Sequence, residues 1–232
     1  MNMLPILLKD GYKVGHKFQY PEGTTLVYSN LTPRKSRNAE INEIVFFGLQ
    51  YFIKEYLVRQ FNENFFNKPK EEVLRLYARR INNYLGKDGI TYDHIAALHD
   101  LGYLPLEIKA LPEGTLVPMR VPVFTIKNTV PEFFWLTNML ETILSAILWK
   151  PATSATTAFQ YLKTFTRYAK ETVGSDMSFV PWQGHDFSFR GMSGVEDALI
   201  SGAGHLLSFA GTDTIPAIDF LETFYNADCK KN

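Results

Sequence analysis

Three side chains with complementary chemistry fall within one stretch, His185 to Thr214, reading HDFSFRGMSGVEDALISGAGHLLSFAGTDT. They are Phe187, Arg190 and Asp213, an aromatic face, a guanidinium and a carboxylate. Together they suit a flat polar ring joined to a phosphate. Phe187 could stack on such a ring, or could be a core phenylalanine ending a strand. Arg190 follows at i+3 in a Gly/Ser-rich loop leading into a helix, where a guanidinium and free backbone amides converge on an anion; the alternative is a solvated or ion-paired arginine. Asp213, in Gly-Thr-Asp-Thr, could cap a helix. As a ligand contact, its carboxylate would accept from a carboxamide NH2 and repel a carboxylate, selecting amide over acid.

A second polar cluster, Asp10-Gly11-Tyr12-Lys13-Val14-Gly15-His16, carries an acid, a phenol, an amine and an imidazole. It could contact a ligand, although a solvated N-terminal turn is the default reading. Arg34, Lys35 and Arg37 form a small basic turn suited to phosphate or simply to solvent. His94, His99 and His205 lack metal-ligand spacing, so no metal site is expected. His185 is expected to anchor its strand end by hydrogen bonding. Neither GxxxxGK[ST] nor GxGxxG occurs, which argues against a P-loop nucleotidase or a Rossmann dehydrogenase.

Strand ends and helix starts must position these groups. Residues 24–31 alternate weakly and predict a strand; 44–61 has helical character, weakened by Gly48. Lys70–Leu85 predicts a helix with Val73, Tyr77 and Ile81 on one face, and Asp93–Leu101 a short helix closed by Gly102. Residues 106–127 predict a small antiparallel β unit with a Pro-Glu-Gly turn and proline-protected edges. A core helix is expected from Pro131 to about Trp149, broken at Lys150-Pro151, and another over 154–172. After Gly174 the pattern becomes β/α alternation. Ser193-Gly194-Val195-Glu196 predicts a capping box, and Thr214 caps a last helix through Tyr225. The expected fold is therefore an α+β region over 1–174 leading, over 175–232, into the first units of an incomplete α/β barrel.

At 232 residues with 46% hydrophobic content the chain can bury a sizeable core. Its 24 basic and 24 acidic residues balance, giving no field that argues for nucleic acid or membrane. The single cysteine, Cys229, excludes a disulfide framework and fits a reducing, cytoplasmic setting. The N-terminal apolar run is broken by Pro5 and lacks a cleavage pattern, and the apolar segment 133–149 carries Thr137, Asn138, Glu141 and Thr142. Neither a signal peptide nor a membrane span is expected.

Four segments in this order resemble the nicotinamide phosphoribosyltransferase family of type II phosphoribosyltransferases: DGYKVGHKFQYPEGTTLVYS, FFGLQYFIKEYL, GYLPLEIKALPEGTLVPMRVPVFTIKNTVPEFFWLTNMLETIL and HDFSFRGMSG…AGHLLSFAGTDT. The resemblance implies transfer of a phosphoribosyl group from phosphoribosyl pyrophosphate to nicotinamide, with Mg2+ on the pyrophosphate. It implies Phe187 and Tyr12 on opposite faces of the pyridine, Tyr12 coming from a second subunit, with Arg190 on phosphate and Asp213 on the carboxamide. Asp10 and Arg34 match positions that approach the neighbour's site, so a homodimer is the expectation. The family's phosphorylated histidine and further phosphate ligands lie downstream of the residues matched. ATP coupling and turnover would therefore require a C-terminal part, which a partner chain could supply, and no residue of this chain is expected to be catalytic. Two alternatives stay open: a non-catalytic module docking onto a full-length homologue, and a nicotinate-specific enzyme, which Asp213 opposes.

Overall fold

The computed structural model describes residues 3–87 and 91–231. Three 3₁₀ turns, Pro5–Leu7, Gly11–Val14 and His16–Gln19, open the described chain. Strand β1 covers Tyr28–Leu31 and β2 Glu43–Val45. Helix α1 (Leu49–Phe52) starts directly after Gly48 and continues as wide π-type turns over Ile53–Gln60 and Asn62–Phe66. The helix expected over 44–61 therefore loses its first residues to β2. Gly48 makes the break at φ +111°, a backbone conformation open to glycine, and a Cβ there would lie 2.6 Å from the Pro151 ring.

Helices α2 (Lys70–Leu85) and α3 (Asp93–Leu101) have the expected bounds. The face of α2 that buries Val73, Tyr77 and Ile81 is the one its periodicity predicts. Gly102 ends α3 at φ +79°, its N–H bonded to the Leu98 and His99 carbonyls. Strands β3 (Leu106–Ala110), β4 (Leu116–Pro118) and β5 (Phe124–Asn128) follow. The antiparallel unit is present with a different partition. β5 lies between β1 and β3 in one sheet, while β4 pairs with β2 in a separate one. A two-stranded sheet suits β4, because Pro118 at its end has no N–H to give a further strand.

Helix α4 runs unbroken from Leu136 to Thr172, with Pro151 inside it, contrary to the expected break. Proline in a helix costs about 3 kcal/mol by losing a bond and crowding the preceding turn. Packing offsets that cost here. Pro151 is buried against Gly48, and Leu148 and Ala155 on the flanking turns are 3% and 0% exposed. The neighbouring Thr156 hydroxyl donates to the Ala152 carbonyl and accepts the Val45 N–H at 2.9 Å.

Beyond α4 come β6 (His185–Asp186), helix α5 (Val195–Leu206), β7 (Gly211–Thr212) and helix α6 (Ile215–Tyr225). β6 and β7 are parallel, joined through α5. A Cβ on Gly204 would lie 2.7 Å from the Pro151 carbonyl oxygen, so α5 approaches α4 on glycine. The expected capping box does not form. Gly194 is the N-cap of α5, and the Ser193 N–H goes to Asp197 at 3.0 Å. Glu196 accepts instead from the Tyr51 hydroxyl at 2.7 Å, a partner no local pattern reveals.

By contacts the chain forms two compact units interleaved in sequence: residues 3–31, 52–110 and 124–145 within the first, and 32–51, 111–123 and 146–231 within the second. The first has a core of Ile6, Phe65, Tyr77, Leu98 and Leu136, each at most 1% exposed. In the second, the Glu113 carboxylate accepts the Gly48 and Gln50 N–H groups and the Tyr225 hydroxyl, fixing the start of α1 to the end of α6. Among the described residues no helix is long and apolar enough to cross a membrane.

Candidate functional site

The parallel pair β6–β7 delivers two chain segments side by side. Asp186, 8% exposed, fastens them. Its Oδ1 accepts the Ser188 N–H at 2.9 Å, its Oδ2 accepts the Thr214 hydroxyl at 2.7 Å, and its carbonyl accepts the Asp213 N–H at 2.8 Å. Burial works against the charged form of Asp186, yet the bonds from Ser188 and Thr214 win and hold its carboxyl below the usual range. Thr214 precedes α6 as its N-cap but makes no side-chain cap, because its hydroxyl belongs to Asp186.

With the backbone fixed, the neighbouring side chains point outward. Phe187 is 68% exposed, and the His185 ring packs against it at 4.4 Å between centroids. His185 Nε2 bonds Asp213 Oδ1 at 2.8 Å, so the histidine does anchor the strand ends and Asp213 is not a helix cap. Arg190 is exposed in the 3₁₀ turn Phe189–Gly191. Phe187, Phe189, Arg190 and Asp213 line one open cleft of about 500 Å³. The structure thus brings together three residues singled out from sequence, and adds Phe189. His205, behind them, bonds the Gly211 carbonyl at 3.1 Å, and burial lowers its pKa.

Asp10 and Tyr12 lie in the first unit, and Arg34, though in the second, does not line this cleft. The Asp10–His16 cluster is docked rather than a solvated turn. Asp10 Oδ2 accepts the Thr142 hydroxyl at 2.7 Å. The Lys13 ammonium, its side chain 2% exposed, reaches Glu141 at 2.6 Å and the Asn138 carbonyl at 2.9 Å. Tyr12 remains 60% exposed. Arg34 is exposed as well. In the first unit, burial lowers the Lys9 pKa to about 8, and burial with Lys17 and Lys9 lowers that of His94 to about 3.

Asp186 and Lys13 are what residue patterns missed. The available signal was the charge in His185-Asp186-Phe187 at a strand end, where a carboxylate is buried only if several donors await it. Among the described residues no group of three His, Cys, Asp or Glu side chains is set to hold a metal.

Residues 4–108 match the family described as nicotinamide phosphoribosyltransferase, N-terminal domain. A nicotinamide phosphoribosyltransferase of Acinetobacter baylyi is 55% identical over 228 residues, 96% of this chain and 45% of the relative. Along almost its whole length, the chain is thus similar to a protein named nicotinamide phosphoribosyltransferase. Relatives with the same name from Xanthomonas campestris and Mycoplasma genitalium are 32% and 34% identical, over 95% and 90% of this chain and 45% and 49% of their own length. The chain therefore spans about half the length of these relatives. In fold it is similar to human nicotinic acid phosphoribosyltransferase, with a TM-score of 0.62 at 18% identity, over 92% of this chain and 37% of that one.

Proposed function

We propose that this chain carries the nicotinamide-binding half of a nicotinamide phosphoribosyltransferase site, serving NAD salvage in the cytoplasm. The observation that carries this is the convergence of Phe187, Arg190 and Asp213 on one cleft beyond the carboxyl ends of two parallel strands, where α/β folds bind ligands. Phe187 offers its free ring face to the pyridine, Asp213 accepts from the carboxamide, and Arg190 takes the phosphate. The ring nitrogen then attacks the anomeric carbon of phosphoribosyl pyrophosphate, and the bond to pyrophosphate breaks with its electron pair leaving on the pyrophosphate. The transition state is oxocarbenium-like, so the protein's work is positioning and electrostatics. Mg2+ enters as the pyrophosphate's own counter-ion.

Tyr12, Asp10 and Arg34 reach the same site from a second copy in a homodimer; the exposure of Tyr12 supports this. The parallel β6–α5–β7 unit supports 175–232 as the opening of an α/β barrel following an N-terminal domain over 1–174. ATP coupling and turnover belong to a C-terminal part.

The test is nicotinamide mononucleotide formation from nicotinamide, phosphoribosyl pyrophosphate and magnesium, by the chain alone and mixed with the C-terminal half of a relative. Product in the mixture that falls with Phe187→Ala and switches toward nicotinate with Asp213→Ser supports the proposal. A folded chain that neither binds nicotinamide nor is rescued overturns it.

A further inference from the structure

His185 touches both groups assigned to the ring. Its imidazole packs on Phe187 at 4.4 Å between centroids, and its Nε2 lies 2.8 Å from Asp213 Oδ1. A carboxylate only accepts, so the proton belongs on Nε2 and the histidine donates. The ring is also seated from below. A Cβ on Gly211 would lie 2.4 Å from His185 Nδ1, so the imidazole lies against bare backbone of β7. Asp213 itself is well exposed, its side chain 60% accessible, with His185 as its hydrogen-bond partner.

An exposed aspartate without an anchor samples several rotamers and discriminates poorly. We propose that His185 is the specificity-determining positioning residue of the cleft. It holds one Asp213 oxygen so that the other faces the carboxamide, and it backs the ring face of Phe187. The preference for an amide over an acid then depends on the His185–Asp213 pair rather than on Asp213 alone. This rests on the nicotinamide reading of the cleft.

The test compares nicotinamide with nicotinate in equilibrium binding to the full 232-residue chain and its variants. His185→Phe keeps a ring against Phe187 and removes the donor. It is expected to weaken nicotinamide about tenfold, the scale of a lost hydrogen bond to a charged group, and to erase most of the preference. His185→Gln, whose amide N–H can stand in for Nε2–H, is expected to restore most of both. In His185→Ala, added imidazole is expected to recover the preference, which a merely structural role would not predict. An unchanged preference in His185→Phe, or no recovery in either the Gln variant or the imidazole-treated Ala variant, overturns the proposal. If the wild-type chain binds neither ring, the nicotinamide reading fails and this inference falls with it. If wild type prefers nicotinamide and the variants do too, only the role of His185 fails.

Discussion

Two clusters of similar composition, Asp10–His16 and His185–Asp213 with Asp186, fare differently. Each contains one buried charge. In the first, Lys13 is held by Glu141 and Asn138, and Asp10 and His16 bond Thr142 and Asn138, so most of the cluster's polar groups secure the N-terminal turns to α4. In the second, Asp186 takes the bonds that secure the loops, leaving Phe187, Arg190 and Asp213 facing solvent. Binding chemistry needs exposed groups on a fixed backbone, and a single buried carboxylate bridging two segments provides it. Side chains that resemble one another in sequence thus divide into those mostly bonded within the fold and those left facing solvent.

The strongest way to break this contrast is Asp186→Ala. It leaves the Thr214 hydroxyl and the Ser188 and Thr212 donors without their acceptor, and should cost about 2–4 kcal/mol in urea unfolding while abolishing nicotinamide binding. A variant as stable as wild type would show that Asp186 does not hold the loops.

Acid should separate the two units. The folded His94 pKa, about 3 against an ordinary 6.5, means the unfolded chain binds the proton first. Its contribution is therefore complete above about 6.5 and lost as pH falls toward 3, at up to ~1.4 kcal/mol per pH unit. Asp186 has a lowered carboxyl pKa, so its contribution is present above the ordinary 3.8 and lost only as pH falls below it. Burial lowers the His205 pKa in the second unit too, so both units lose stability below about 6.5. Hydrogen exchange at pH 5 should show the larger loss in the first, and His94→Phe should remove that excess. Equal loss in both units would contradict it.

Phe187→Ala sharpens the contrast from the exposed side. Stability should change by less than about 0.5 kcal/mol, while nicotinamide affinity falls about tenfold in calorimetry. The smallest effect expected is that of Arg190→Ala, with stability unmoved and nicotinamide affinity within about twofold, since its role is toward phosphate. A large loss of nicotinamide affinity there would move Arg190 from the phosphate to the ring.

Local pattern determined much of this protein. The periodic faces of Lys70–Leu85 and Asp93–Leu101 and the glycine after the latter specify those helices within a few turns of chain. The placement of Phe187, Arg190 and Asp213 just past strand ends was legible, because strand-to-helix loops are marked by Gly, Ser and Thr. Tertiary structure decided the rest. Pro151 stays inside α4 because burial against Gly48 offsets a local penalty, and Glu196 leaves its capping position for the distant Tyr51 hydroxyl. Residues Glu43–Val45 become a strand because Leu116–Pro118 is there to pair with them. Lys13 and Asp186 can be buried only because acceptors and donors far along the chain, Asn138 for one and Thr214 for the other, are brought to meet them. Local propensities act over a turn or two. A buried charge or an interior proline is stabilised by partners more distant in sequence, which only the folded chain brings within bonding distance.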